Sequence, residues 1–260
     1  MPTKKRQDRI TRIMDILSVS RGATIKELSA SLGVSEMTIR RDLDLLSDDS
    51  KVKLVHAGAI PALAPAPGFR GSYSILDIAA PGAAEKKRIG EKAASLIESG
   101  DVVILDSGST IEWLARSIPR ELPVTILCYA LNILVEAGQG THRTVVFAGG
   151  SLHSDTLVFE SPEGVSLISR YRARKAFFSA GGVSEKLGVT CADSAEAELK
   201  KAAVASSQTR VLLADSRKFG TVRPSWYADL DAFDAIITDS GISLDYVEVF
   251  RSLGIALHVV

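Results

Sequence analysis

Hydrophobic positions along the chain change period part way. Ile10, Ile13, Met14 and Leu17 recur at i, i+3, i+4 and i+7, the spacing of a helix with one buried stripe. Ile25, Leu28 and Leu32 mark a second, shorter helix, and Ile39, Leu43 and Leu46 the buried stripe of a third. Thr24 begins T-I-K-E, so Glu27 is placed to complete a capping box, and Gly33 can take the positive φ that ends the second helix. Ser35 can then cap the third with its hydroxyl. The spacing predicts two helices joined by a three-residue turn. Val52 to Val55 and Ala59 to Ile60 look like two short strands, and the run PALAPAPGFRGS after them, with three prolines and two glycines, is a poor core former. From about Ser74 the apolar residues gather in short runs: Val102–Leu105, Val124–Cys128, Thr144–Phe147, Lys175–Ser179, Arg210–Ala214, Ala235–Thr238 and Ile255–Val259. Helical spacing returns between them, in Ile89, Ala93, Leu96 and Ile97 and in Leu199, Ala202 and Ala203. This alternation predicts a parallel sheet covered on both faces. The expected layout is a small helical domain over 1–58, a linker over 59–74 and an α/β domain over 75–260.

With 260 residues, 46% of them hydrophobic, the chain can bury one large core or two smaller ones. It has no apolar run of about 18 residues, and MPTKKRQDRI lacks the apolar region of a signal peptide, so a cytoplasmic protein without a membrane partner is expected. Cys128 and Cys191 stand far apart without metal-site spacing; both are read as reduced, and no metal or cofactor is expected. Net charge is zero, but residues 1–56 hold 11 Lys and Arg against 8 Asp and Glu, and the remainder 20 against 23. A slightly positive domain joined to a slightly negative one fits a reader of DNA attached to a part that does not touch it. Lys4, Lys5, Arg6, Arg9 and Arg12 could meet backbone phosphates or simply be solvated.

The third helix carries the sharper signal. Met37, Thr38, Arg40, Arg41 and Asp44 lie opposite its buried stripe. Arginine can hold a phosphate or a guanine edge, and a threonine or methionine side chain can touch a thymine methyl. A plain helical hairpin with solvated arginines is the alternative. The string IKELSASLGVSEMTIRRDLDLL followed by KLVHAGAI resembles the N-terminal winged-helix domain of the DeoR family of bacterial sugar-catabolism regulators. The resemblance implies DNA contacts from Thr24, Ser35, Glu36, Met37, Thr38, Arg40 and Arg41, and from Lys53 and His56 on the wing. Here His56 is followed by Ala57 and Gly58 where the family usually has two glycines.

Parallel sheets bind ligands at the carboxyl ends of their strands. After Leu105 comes D-S-G-S-T, Asp106 to Thr110, in which Ser107, Gly108, Ser109 and Thr110 could cradle an anion at a helix start or form an ordinary capped turn. Later exits carry Tyr129 to Asn132, then Gly149, Gly150 and His153, then Gly181 and Gly182, then Asp215 and Lys218. Asp193 and Glu196 have capping-box spacing for the helix that carries Lys200.

Glu85-Lys86, ILDSGST, CYALN, FAGGSLH, KAFFSAGG, GVTCADSAEAELKKA and LLADSRKFG extend the resemblance to the family's effector domain, which is similar to sugar-phosphate isomerases. SEMTIRRDL, CYALN and KFGTVRP are similar to the deoxyribonucleoside branch, which implies deoxyribose 5-phosphate as ligand. The implied phosphate site is Ser107 to Thr110, with Lys218 as a nearby cation, Lys86 in the site, and Asp106, Asp193 and Lys200 holding hydroxyls or one another. Gly181 and Ser184 stand where many members carry acids, and Ile78 where an arginine is common. The expectation is a non-enzymatic repressor, at least a dimer and with tetramers compatible, that binds operator DNA and is released by a pentose phosphate. An arabinose phosphate from opine breakdown or a hexose or polyol phosphate would use the same cradle. An isomerase with a DNA-binding appendage is the alternative, weakened by Gly181 and Ser184 where related isomerases offer carboxylates. An architectural protein whose second domain only oligomerises is a third possibility, disfavoured by the neutral charge and the long α/β domain.

Overall fold

The computed structural model describes residues 4–20, 22–48, 52–55, 58–61 and 82–260. The first part comprises α1 (Lys4–Ser20), β1 (Ala23–Thr24), α2 (Ile25–Leu32), α3 (Glu36–Asp48), β2 (Val52–Val55) and β3 (Gly58–Pro61). Its strands form an antiparallel sheet in the order β1-β3-β2, the wing of a winged helix-turn-helix. Ile13 and Leu17 of α1, Leu28 of α2 and Ile39, Leu43 and Leu46 of α3 close one small core. The wing's second strand runs to Pro61, beyond the expected boundary at 58; the rest of the expected linker, and His56, lie outside the described residues.

The second part contains α4 (Ala83–Ala94), β4 (Val102–Leu105), α5 (Ser109–Ser117), β5 (Val124–Cys128), α6 (Leu131–Ala137), β6 (Arg143–Phe147), β7 (Ser151–His153), β8 (Val158–Glu160), α7 (Pro162–Arg170) and β9 (Ala173–Ser179). It continues through β10 (Gly182–Ser184), β11 (Gly188–Cys191), α8 (Ser194–Ala205), β12 (Ser207–Leu213), β13 (Ser225–Ala228), β14 (Ala235–Thr238), α9 (Leu244–Ser252) and β15 (Ala256–Val259). The seven apolar runs become one seven-stranded sheet, β15-β14-β12-β9-β4-β5-β6, parallel at every pairing. Ile104 and Leu105 project to opposite faces and both are fully buried, so helices cover the sheet on both sides. An antiparallel sheet β10-β11-β13 and a β7-β8 hairpin stand apart from it. Neither was expected.

The strand order contains one reversal. From β4 the chain adds β5 and β6 on one side, then returns with β9 to the other side of β4 and continues outward through β12, β14 and β15. The crevice between the carboxyl ends of β4 and β9 is therefore the topological switch point, where an open parallel sheet takes its ligand. Cys128 and Cys191 are both free and buried, and burial pushes their thiols up to about 12, which leaves them inert. Among the described residues no helix is long and apolar enough to cross a membrane.

Candidate functional site

Two surfaces concentrate the chemistry. In the winged helix, α2 is fixed at both ends: Glu27 N donates to Thr24 Oγ1 at 3.1 Å, Thr24 N donates to Glu27 Oε2 at 2.9 Å, and Gly33 closes the helix at φ 64°. The Thr24 hydroxyl is thus engaged within the protein. The peptide N–H groups of Thr38 and Ile39 donate to the Ser35 carbonyl at 2.9 and 3.1 Å, and Thr38 N also reaches Ser35 Oγ at 3.3 Å. The turn therefore spans residues 33 to 35, the spacing of a helix-turn-helix. On α3 the stripe of Ile39, Leu43 and Leu46 is buried, whereas Glu36, Met37, Arg40, Arg41 and Asp44 are exposed and Thr38 is half-buried. Met37 keeps 59% of its surface in solvent, which packing does not explain. Lys53 lies on β2.

One polar residue on the buried side escaped the sequence reading. Asp42 is 1% exposed and accepts from Arg6 Nε at 2.9 Å and Arg9 Nε at 2.5 Å, both on α1. Those two arginines are held inward rather than offered to phosphates, and they fix the angle at which α3 leaves the domain. Replacing Asp42 with Ala is expected to lower winged-helix stability by about 1–3 kcal/mol, since the freed guanidinium groups can still reach water. A melting curve of the variant with no shift would remove Asp42 from this role.

The second surface lies at the switch point. Asp106 follows β4 and is fully buried. Its carboxylate accepts four hydrogen bonds, from Tyr129 Oη and Lys200 Nζ and from Ser179 N at 2.7 Å and Ser179 Oγ at 3.1 Å, and Ser107 Oγ lies 3.5 Å away. Burial alone would strip the Lys200 proton, but the charges of Asp106 and Glu196 outweigh it and hold the ammonium. Burial, and then the Asp106 charge, keeps the Tyr129 and Tyr227 phenols neutral. Tyr227 lies with its ring 5.2 Å from Lys200 Nζ and donates its hydroxyl to Ser179 O at 2.7 Å.

The loop then turns through Gly108, at φ 97°, where a Cβ would stand 3.2 Å from Ser179 Oγ. Gly108 occupies the N-cap position of α5 and no side chain caps that helix. Its first-turn N–H groups and their positive potential therefore open onto the switch point beside Ser109 and Thr110. Ser107 is turned away from them: its hydroxyl donates to Glu196 Oε1 at 2.7 Å, and that carboxylate lies 3.1 Å from Lys200. Asp193 caps α8 through Ala195 N at 2.9 Å, one residue short of Glu196, so the expected capping box does not form.

A third group gathers at the exit of β12. Asp215 is 1% exposed; its Oδ1 accepts from Arg217 Nε at 2.8 Å, and its Oδ2 is buried without a hydrogen-bond partner. Lys86 on α4 and Lys218 lie close enough for Asp215 to act on both. Burial lowers the pKa of each lysine, Asp215 partly restores it, and neighbouring cations lower it again. Among the described residues neither ammonium forms an ion pair. Arg223 completes the group, donating from Nε to Gly181 O at 3.3 Å.

The structure thus brings Asp106, Ser107, Gly108, Ser109, Thr110, Tyr129, Glu196 and Lys200 together, with Lys86, Asp215, Lys218 and Gly181 around adjacent exits. Gly149, Gly150 and His153 instead follow edge strand β6, two strands from β4; His153 lies 3.6 Å from Glu160 across the β7-β8 hairpin. Ser179, Tyr227 and Arg223 were not singled out from the sequence. Ser179 ends a strand run and was open to the same argument as the other exits, whereas Tyr227 and Arg223 carry no local signal.

The DeoR C terminal sensor domain matches residues 82–240, and the DeoR-like helix-turn-helix domain matches residues 9–62. The deoxyribose operon repressor of Escherichia coli (strain K12) is 32% identical over 97% of this chain and 98% of its own length. The lactose phosphotransferase system repressor of Staphylococcus epidermidis is 31% identical, over 90% of this chain and 92% of its own. Among solved structures, ribose 5-phosphate isomerase A of Methanocaldococcus jannaschii is similar at 19% identity and a TM-score of 0.41, covering 53% of this chain and 55% of that one.

Proposed function

The chain belongs to the DeoR family, and from that premise we propose that it is a transcriptional repressor of a sugar or nucleoside catabolic operon, released from its operator by a phosphorylated sugar. The observation that carries the sensing half is the uncapped start of α5 at the switch point, with the buried Lys86 and the half-buried Lys218, which form no ion pair among the described residues, gathered at the exit of β12 two strands away. Phosphate is the group such a place accepts: helix N–H groups donate to its oxygens and the ammonium groups balance its charge. A pentose phosphate is the preferred effector, deoxyribose 5-phosphate first, in keeping with KFGTVRP and with the similarity to a deoxyribose operon repressor. Release requires only that the effector bind the DNA-free arrangement more tightly; a coupling of about 1–3 kcal/mol changes operator affinity roughly 5 to 150-fold. A twofold operator would match a dimer of the chain.

An isomerase needs a free base beside the substrate carbon. Asp106 has its four lone pairs filled by Tyr129, Lys200 and the two donors of Ser179, while Glu196 is held at Oε1 only, by Ser107 and Lys200. Asp106 therefore supports a binding role better than proton abstraction. Turnover of ribose 5-phosphate or deoxyribose 5-phosphate by pure protein would reverse that choice.

A melting-temperature screen tests the sensor reading. A ligand at 100 times its Kd stabilises the native state by about 2.7 kcal/mol, which for a domain of this size raises Tm by roughly 5–10 °C. Deoxyribose 5-phosphate is expected to produce such a shift and free deoxyribose none. Equal shifts with sugar and sugar phosphate would remove the anion cradle from the account.

A further inference from the structure

The crevice is charged unequally along its length. Around Lys200 stand two carboxylates, Asp106 and Glu196, against one ammonium. Around Asp215 stand Lys86, Arg217, Lys218 and Arg223, four cations against three carboxylates, Asp215 itself and the Glu85 and Asp239 that act on Arg217. The charges that act on Lys218 are those of Asp215, Lys86, Arg223 and Arg217; those that act on Lys200 belong to Asp106, Glu196 and Cys191. The two groups share no member, and Asp215 and Asp106 follow β12 and β4, two positions apart in the sheet. The uncapped start of α5 adds positive potential to the crevice, Asp215 Oδ2 is buried with no hydrogen-bond partner among the described residues, and Lys86 is 8% exposed.

Glu196 decides what the other end accepts. Its Oε1 is held by Ser107 and Lys200, while Oε2 has no partner among the described residues, although the side chain keeps only 11% of its surface in solvent. Because Ser107 gives its hydroxyl to Glu196, a phosphate meets its donors on the far side of Gly108, at Ser109 and Thr110. A carboxylate oxygen left without a donor accepts a hydroxyl and repels a second anion.

Resting on the sensor reading above, we propose that Glu196 is the specificity-determining residue of the ligand site: it accepts the sugar hydroxyl remote from the phosphate, so the effector is a sugar monophosphate with a neutral, hydroxyl-bearing far end, and phosphorylated sugar acids are rejected. The order of the ligand follows, with phosphate toward α5 and β12 and hydroxyl toward α8.

The test is calorimetric titration of the full chain and of Glu196→Gln with 2-deoxyribose 5-phosphate, the corresponding 5-phosphorylated deoxyribonic acid and inorganic phosphate. The unaltered chain is expected to prefer the sugar phosphate over the acid by about tenfold or more. In Glu196→Gln, which keeps an acceptor for Ser107 and Lys200, the preference should fall to about threefold or less, chiefly through tighter binding of the acid, while phosphate affinity stays within about twofold. An unchanged preference, or a gain for inorganic phosphate equal to that for the acid, overturns the assignment. A measurement on the unaltered chain stands if the variant fails to fold: 1,2-dideoxyribose 5-phosphate, which lacks the far hydroxyl, should bind at least about tenfold more weakly than 2-deoxyribose 5-phosphate. Equal binding of these two, or deoxyribose 5-phosphate binding no tighter than phosphate, also overturns it. If none of the probes binds the unaltered chain, the sensor reading falls and not this assignment alone.

Discussion

Arg41→Ala should abolish specific operator binding and leave the response to sugar phosphate unchanged. Arg41 stands on the exposed face of α3, one turn from Met37, on the side away from Ile39 and Leu43. Its guanidinium makes no hydrogen bond within the protein among the described residues; only its backbone carbonyl accepts, from Arg6 Nη2 at 3.3 Å. Removal therefore costs the fold little. A lost arginine contact to a base edge is worth about 1–3 kcal/mol, and a dimer loses it twice, so specific affinity should fall by roughly 30-fold to more than 10,000-fold. Gel-shift or anisotropy titration against operator DNA at several salt concentrations reads the result. Each phosphate contact that disappears should also reduce the salt slope by about 0.9. Operator affinity equal to that of the parent chain would reject α3 as the helix in the groove.

The second large effect belongs to Lys200. Lys200→Met removes the ammonium and leaves Asp106 charged at a fully buried site, with Tyr129 and Ser179 as its remaining donors. Breaking a buried pair by deleting one partner costs about 3–5 kcal/mol, a large share of the roughly 5–15 kcal/mol that holds a typical domain folded. The α/β domain should melt roughly 6–20 °C lower. The double variant Asp106→Asn with Lys200→Met should recover a good part of that loss, because no uncompensated charge is left inside. A single variant as stable as the parent would show that Asp106 takes up a proton or that water enters, and the network would then lose its role as the frame of the ligand site.

Much of this architecture was legible in the residues. The runs Val102–Leu105, Val124–Cys128 and Ala235–Thr238 coincide with β4, β5 and β14, because a strand covered on both faces needs an unbroken apolar run. The turn between α2 and α3 was legible because its caps are local: Thr24 and Glu27 are three residues apart, and Gly33 needs only its own backbone freedom. The β7-β8 hairpin and the β10-β11-β13 sheet were not, since three- or four-residue strands are too short to display a period of two. The convergence on Asp106 was hidden for another reason. Its partners lie 23, 73 and 94 residues further along the chain, and no local pattern carries that information. Asp42 went unread for a related reason. A polar residue on a helix reads as exposed until the two arginines that neutralise it are seen to come from α1.

The reversal of strand order also sets when the parts of the molecule can come into being. The turn between α2 and α3 closes within a few neighbouring residues, whereas the switch point does not exist until β9 has been made and laid against β4, Val103 to Leu105 pairing with Lys175 to Phe177. Long loops must be closed before such contacts repay them, so sheets of this kind form slowly. A chain emerging from the ribosome would hold a finished helix-turn-helix well before it held a complete sensor domain.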